Sequence, residues 1–198
     1  MPQSGPPRKR LPRAERREAI LEAAGLMFGE RGYEATRLDD LAGALGVTKP
    51  VLYQHFDSKK ALYLALLARH RDDLPTFTAG MPAEGSLEER LRAVIEGWLD
   101  YVEAHAYAWQ MLFRDSGGDA EIRAFRAGVH DTARAVLVEL LGALARPPMD
   151  KAQRSAVAEL LSMGMAAVVL WWTEGAPLPR DAVVDAITRV WTGVLGEL

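Results

Sequence analysis

Gly46 separates two short runs that both read as helix, and this arrangement limits the fold more than any other feature of the chain. Upstream, Leu38, Leu41 and Leu45 recur at spacings of three and four, which predicts a helix over 37–45 with those leucines inward. A glycine directly after the last periodic residue is a helix stop, because glycine takes the left-handed backbone without strain. Downstream, Thr48 is a good N-cap and Pro50 falls in a first turn, where a missing N–H costs little, so a second short helix begins at Lys49. Thr36 followed by Asp39 predicts a capping-box-like start for the first helix of the pair. Phe56, Asp57 and Ser58 break the second helix, and Ser58 or Asp57 caps a further one over 59–73.

The remaining segments carry the same helical period. From Ala14, the residues Ile20, Leu21, Ala24, Met27 and Phe28 form one apolar face, and Gly29 and Gly32 mark its end. Pro75, Gly80, Pro82 and Gly85 predict a loop, followed by helices over 86–104 (opened by Ser86 with Glu89), 105–115, 119–145, 150–173 and 180–197. No run alternates with a period of two and no repeat of fixed length occurs, so the expected fold is all-α with about nine helices.

Two short helices joined by a glycine turn match the helix-turn-helix arrangement, in which the second helix lies in the DNA major groove. Leu52 and Phe56 are four apart and are expected to pack on Leu41 and Phe28. That leaves Thr48, Lys49, Pro50, Val51, Tyr53, Gln54 and His55 for solvent or a partner. Lys49 suits phosphate or guanine, Gln54 a base edge, Tyr53 and His55 phosphates, and Pro50 and Val51 a thymine methyl. The alternative is a small capped helix whose rings pack on neighbours. Net charge is only -3, but its distribution favours a polyanion: residues 1–60 hold 11 Lys+Arg against 8 Asp+Glu, a surplus of +3, and the remainder is acidic. The expected organisation is a flexible basic arm over 1–13 with Arg8, Lys9, Arg10 and Arg13, a three-helix DNA-binding domain over 14–58, and a larger helical domain over 59–198.

The run Gly32-Tyr33-Glu34-Ala35-Thr36-Arg37-Leu38-Asp39-Asp40-Leu41-Ala42, the run Leu45-Gly46-Val47-Thr48-Lys49-Pro50-Val51-Leu52-Tyr53-Gln54-His55-Phe56, and Ser58-Lys59-Lys60-Ala61-Leu62 closely resemble the DNA-binding segment of TetR/AcrR-family transcriptional regulators. The likeness spans residues 14–65. It implies phosphate contacts from Thr36 or Arg37, Tyr53, His55 and Lys59, and base-facing positions at Lys49, Val51 and Gln54. Pro50 and Val51 stand where the family often has glycine and threonine, and Asp39 where relatives are often basic or polar. The arm would enter the adjacent minor groove, track the backbone or merely solubilise. The resemblance also implies a homodimer on a palindromic operator, with repression the commoner outcome and activation the other.

In the larger half, Leu160, Met163, Gly164, Ala167, Val168 and Trp171 on one helix, with Val183, Ile187, Val190, Trp191 and Val194 on the last, offer more apolar surface than one core contact requires. They are the candidate dimer residues; an ordinary buried helix pair is the alternative. Trp98, Tyr101, Tyr107, Trp109, Phe113, Phe125 and Trp172, with Gln110, Arg114 and His130 as polar anchors, are candidates to bind a small apolar or aromatic effector with at most one acidic group, against the reading that they are plain core. Catalysis finds no support. The four histidines lack metal-ligand spacing, His70 reads as a surface residue, and neither a nucleophile elbow nor a phosphate-binding loop is present, so no enzyme activity, cofactor or metal is expected.

The rival class is a helical small-molecule or protein-binding module without a DNA target. The chain contains no cysteine, no signal-peptide pattern, and no uncharged apolar run beyond the 13 residues 160–172, so a soluble cytoplasmic protein with no membrane partner is expected.

Overall fold

A computed structural model of the chain describes residues 12–114 and 117–196, and among these it is all-α. The helices are α1 (Arg13–Ala35), α2 (Leu38–Leu45), α3 (Lys49–Tyr53), α4 (Lys59–Ala79), α5 (Leu87–Ala104), α6 (Ala106–Trp109), α7 (Ala120–Leu144), α8 (Lys151–Thr173) and α9 (Arg180–Leu195). A single π-helical turn, Gln110–Arg114, continues α6. The expected arm over 1–13, with Arg8, Lys9 and Arg10, lies outside the described residues except for its last two positions. So do residue 115 and residue 197, where two of the expected helices end.

The α2–α3 junction forms as its sequence predicts. Gly46 adopts φ 61°, its N–H meets the Gly43 carbonyl at 3.1 Å, and the Val47 N–H meets that of Ala42 at 3.0 Å. This pair of bonds closes the helix end in a Schellman turn. Leu41, Leu52, Phe56 and Phe28 share one core. The Ser58 hydroxyl accepts from the Ala61 N–H at 3.0 Å and starts α4. Ser86 and Glu89 open α5 with a reciprocal capping box, and Asp150 and Gln153 do the same for α8.

Four expectations fail, some for local and some for tertiary reasons. Gly29 does not end α1; the helical backbone is interrupted at Gly32 (φ 77°), as expected, and a further turn runs to Ala35. Gly29 is instead a contact position, where a Cβ would stand 2.6 Å from that of Tyr107. Thr36 does not cap α2: its buried hydroxyl faces the Gly32 carbonyl at 2.8 Å, and Arg37 occupies the N-cap without a side-chain bond. α4 continues through Pro75 to Ala79. Proline removes its own donor and crowds the carbonyl four residues back, while the Thr76 hydroxyl donates to the Asp73 carbonyl at 2.6 Å and Phe77 packs edge-on to Tyr101, together holding the last turn. Finally, His70 is 3% exposed rather than on the surface, because α4 is packed on more than one side.

The apolar interior forms two clusters. The first joins α1, α2, α3 and the first half of α4 (Leu62, Tyr63, Leu66, Leu67), and takes in Tyr107, Ala108, Met111 and Ile122 from later in the chain. The second is built from α5, α7, α8 and α9, with Trp109 from the end of α6. The short α6 segment therefore supplies side chains to both.

Candidate nucleic-acid interface and effector chamber

With Leu52 and Phe56 pinned inward, the opposite side of α3 and the turn after it faces out. Tyr53 is 46% exposed, Thr48, Pro50 and Gln54 are exposed, and Lys49, Val51 and His55 are half-buried. Lys49 Nζ pairs with the Asp39 carboxylate of α2 at 3.1 Å, and Asp40 pairs with Arg31 at 3.3 Å. Arg37 is exposed at the start of α2. A concavity runs between the beginning of α1 and α3, walled by Arg13, Arg16, Val47, Thr48, Val51, Gln54 and His55. Arg13 Nη2 reaches the Gln54 carbonyl at 3.4 Å, and the Arg17 guanidinium lies 4.8 Å above the Phe56 ring. Burial, then the charges of Arg13, Arg16 and Arg17, hold the His55 pKa below its ordinary value, so its imidazole is neutral at neutral pH. The cationic frame contributed by Arg16 and Arg17 was not singled out from the sequence; the density of arginine in the first turns of α1 was its available signal.

Thr36 and Lys59 are turned away from this surface. Lys59 Nζ donates to the carbonyls of Tyr33 (2.8 Å), Glu34 (3.3 Å) and Thr36 (3.2 Å) and sits 4.4 Å from the Tyr33 ring centroid. All three ammonium donors are engaged at the end of α1, where a cation suits the unsatisfied carbonyls.

In the second cluster lies a cavity of 120 Å³ bounded by α4 to α9. Of the ten residues proposed from sequence, Trp98, Trp109, Phe113 and His130 line it. Trp109 stacks on Phe113 (5.6 Å, 7°) and meets Trp98 edge-on at 5.6 Å, and the His130 ring stands 4.7 Å from that of Phe113. Gln110 is half-buried and does not line it. Phe125 packs beside the first cluster under the Arg71 guanidinium, Arg114 pairs with Glu174, and Trp172 Nε1 donates to the Leu178 carbonyl at 3.2 Å. Much of the remaining lining is aliphatic, from α5, α7 and α8, which aromatic counting does not find. Among the described residues, no Asp, Glu, Lys or Arg lines the cavity.

Tyr101 and Tyr107 belong to a separate buried polar cluster between α4, α5 and α6. The Tyr101 hydroxyl donates to Asp73 Oδ2 at 2.7 Å and lies 2.5 Å from His70 Nδ1. Because that hydroxyl spends its one proton on Asp73, it accepts from His70, which fixes the tautomer with the proton on Nδ1. Burial chiefly, then His105 and Arg69, pull the His70 pKa down to about 4. Burial raises the Tyr101 pKa, helped by Asp73, and pushes that of Tyr107 up to about 12.

The outer face of α8 carries Leu160 (74% exposed), Met163, Gly164, Ala167 and Trp171 (54% exposed), and Val190 of α9 is exposed as well. Val168 and Val194 are half-buried. Val183, Ile187 and Trp191 are consumed in the second cluster and have no surface left for a partner, a correction to the stripe read on α9.

The arrangement has counterparts among known proteins. Residues 20–66 match the family model for bacterial regulatory proteins of the tetR family, and residues 87–193 match that for the tetracyclin repressor-like C-terminal domain. The HTH-type transcriptional activator FasR of Mycolicibacterium smegmatis is 32% identical over 193 residues, covering 93% of this chain and 85% of FasR. IcaR, the negative transcriptional regulator of the Staphylococcus aureus biofilm operon icaADBC, is 45% identical over 47 residues, covering 24% of this chain and 25% of IcaR. The crystal structure of a TetR-like transcriptional regulator from Rhodococcus sp. RHA1 superposes with a TM-score of 0.73 at 29% identity, covering 94% of this chain and all of that one.

Proposed function

This chain belongs to the TetR family and is a DNA-binding transcriptional regulator, not an enzyme, and from that premise we propose that it acts as a cytoplasmic homodimer on a palindromic operator and is released by a small apolar effector. The observation that carries the DNA half is the outward face of α3: Lys49, Pro50, Val51, Tyr53 and Gln54 stand clear of the core beside Thr48, His55, Arg13, Arg16 and Arg37. In this reading Lys49, Val51 and Gln54 meet base edges, while Arg37, Tyr53 and the α1 arginines hold phosphates. The neutral His55 acts as a hydrogen-bonding group rather than a cation.

Two such helices must sit one DNA turn apart, roughly 34–36 Å, to read both half-sites. The α8 face supports a dimer that supplies this spacing. By length and composition alone α8 would pass for a membrane span. The same apolar surplus, exposed here at Leu160, Met163 and Trp171, is what a helix buried between two protomers requires.

The effector chamber supports a route for release. Leu74, Phe77 and Thr78 from the end of α4 line it, while the start of α4 packs under α1 to α3. The α6 segment gives a second link, since Trp109 and Phe113 wall the chamber and Met111, between them, is buried in the DNA-binding core. A ligand that shifts these walls moves both links, and the two heads no longer match both half-sites. Release ends repression where the operator overlaps a promoter. It ends activation where the operator lies upstream, the direction that the name of FasR gives that protein.

Selection of genomic fragments by the purified protein tests the reading, with a Lys49→Glu, Tyr53→Ala double variant alongside. A palindrome enriched by the wild type and lost in the variant is the expected result; equal enrichment by both would remove α3 as the reader.

A further inference from the structure

The chamber has almost no means of holding a charge. Among the described residues its polar lining is confined to Thr78, Ser162, His130 and the indoles of Trp98, Trp109 and Trp191. His130 is kept from protonating mainly by burial, although an N–H bonded to the Leu112 carbonyl opposes that shift. A carboxylate or phosphate placed here would lose its water without gaining a cation, which is among the most costly events in a protein interior.

One donor on a lining residue stands unused. Trp109 is 9% exposed, lines the chamber, and its Nε1–H is buried with no acceptor among the described residues. Its ring is held between Phe113 and Trp98, so it cannot readily turn to find one. Buried donors of this kind are rare because each costs free energy while unmade. The cavity of 120 Å³ approaches the size, about 150 Å³, of engineered apolar cavities that take up benzene.

We propose that the chamber selects a ligand whose buried part is compact, apolar and uncharged and carries one hydrogen-bond acceptor, a carbonyl being the simplest, which receives the Trp109 Nε1–H. Trp109 is then the specificity-determining residue, separating carbonyl compounds from the hydrocarbons and carboxylates of the same shape. The inference rests on the chamber being the effector site.

Calorimetric titration of the full-length protein with ethylbenzene, acetophenone and benzoate, matched in shape, tests it, with 2-nonanone and nonanoate as a chain-like pair. Acetophenone is expected to bind roughly tenfold more tightly than ethylbenzene, the worth of one satisfied buried donor, and each carboxylate at least about 100-fold more weakly than its ketone. In Trp109→Phe the ketone carbonyl has no donor, so the advantage of acetophenone over ethylbenzene is expected to be lost or reversed. Should that variant fold poorly, the indole N–H signals of the ¹⁵N-tryptophan-labelled wild type give the same answer: one moves with the ketone and stays with the hydrocarbon. Carboxylates binding as well as ketones, or ethylbenzene matching acetophenone, would overturn the inference and leave the effector chamber standing. Binding of no probe would overturn both, and selection of operator DNA, which needs no ligand, would be untouched.

Discussion

Gly25 of α1 faces Tyr107 of α6 so closely that a Cβ on the glycine would stand 2.4 Å from Tyr107 Cε2. Alanine at a helix interior is otherwise favourable over glycine by about 1 kcal/mol. Overpacking against a ring fixed in a core costs typically about 1–3 kcal/mol. Gly25→Ala is therefore expected to lower the urea midpoint despite better helix propensity. Tyr107→Leu in the same chain should restore part of the loss, since the clash is with the ring. Equal losses in the single and double variants would show that Tyr107 is not the obstacle.

On the proposed reading, Lys49 serves DNA binding while Lys59 serves the scaffold. Among the described residues Lys49 is paired only with the exposed Asp39, an interaction of small worth, so its removal should leave stability within about 0.5 kcal/mol. Lys49→Glu is expected to weaken operator binding at least about 100-fold in the dimer, because two contacts become two repulsions. Lys59→Ala instead leaves three carbonyls at the end of α1 without their donor and is expected to lower the melting temperature. Thermal melts and operator titrations at fixed salt on the two variants decide whether the roles divide this way.

Stability should fall in weak acid. His70 has a folded pKa of about 4 against the ordinary histidine value of 6.5, so the unfolded chain binds its proton first. Stability from this group is complete above pH 6.5 and is lost as the pH falls toward 4, by an amount of order 3 kcal/mol. The lowered values of His55 and His130 act in the same direction. His70→Asn does not titrate, and urea denaturation across this range should show a shallower pH slope for it. An unchanged slope would place the acid sensitivity elsewhere.

What could be read from sequence was local, and what could not depended on distant partners. The Gly46 turn, the Ser86–Glu89 capping box and the inward pair Leu52 and Phe56 are decided by residues within a few positions of one another. Gly29, by contrast, looks like a terminator until Tyr107 arrives from 78 positions later. His70 has polar neighbours on α5 and α6 that no periodicity along α4 reveals. The aromatic set divided for the same reason. Trp98 and Tyr101 are three apart on one helix, yet one faces the chamber and the other the His70 cluster. On α9, apolar residues on adjacent stripes could not be assigned to the protomer core or to a partner without knowing where α5 lies.

The α8 face gives the most decisive test of assembly. Leu160, Met163, Gly164, Ala167 and Trp171 follow spacings of three and four along one side of the helix, and the small residues at 164 and 167 allow a partner helix to approach closely. Trp171 offers the largest side chain on it, and buried tryptophans commonly dominate such interfaces. Trp171→Glu would place a charge in the centre of the contact, so sedimentation equilibrium should show the protomer mass of 21.8 kDa at concentrations where the wild type has twice that mass. Affinity for a palindrome should fall sharply while the weak affinity for a single half-site is retained, because α3 is far along the chain and unaltered. Leu26→Glu, an equally apolar-to-acidic change at an exposed position on α1, should leave the mass unchanged and shows whether the effect belongs to α8. If Trp171→Glu still sediments as a dimer, the exposed stripe serves another partner and the spacing of the two reading helices must come from elsewhere.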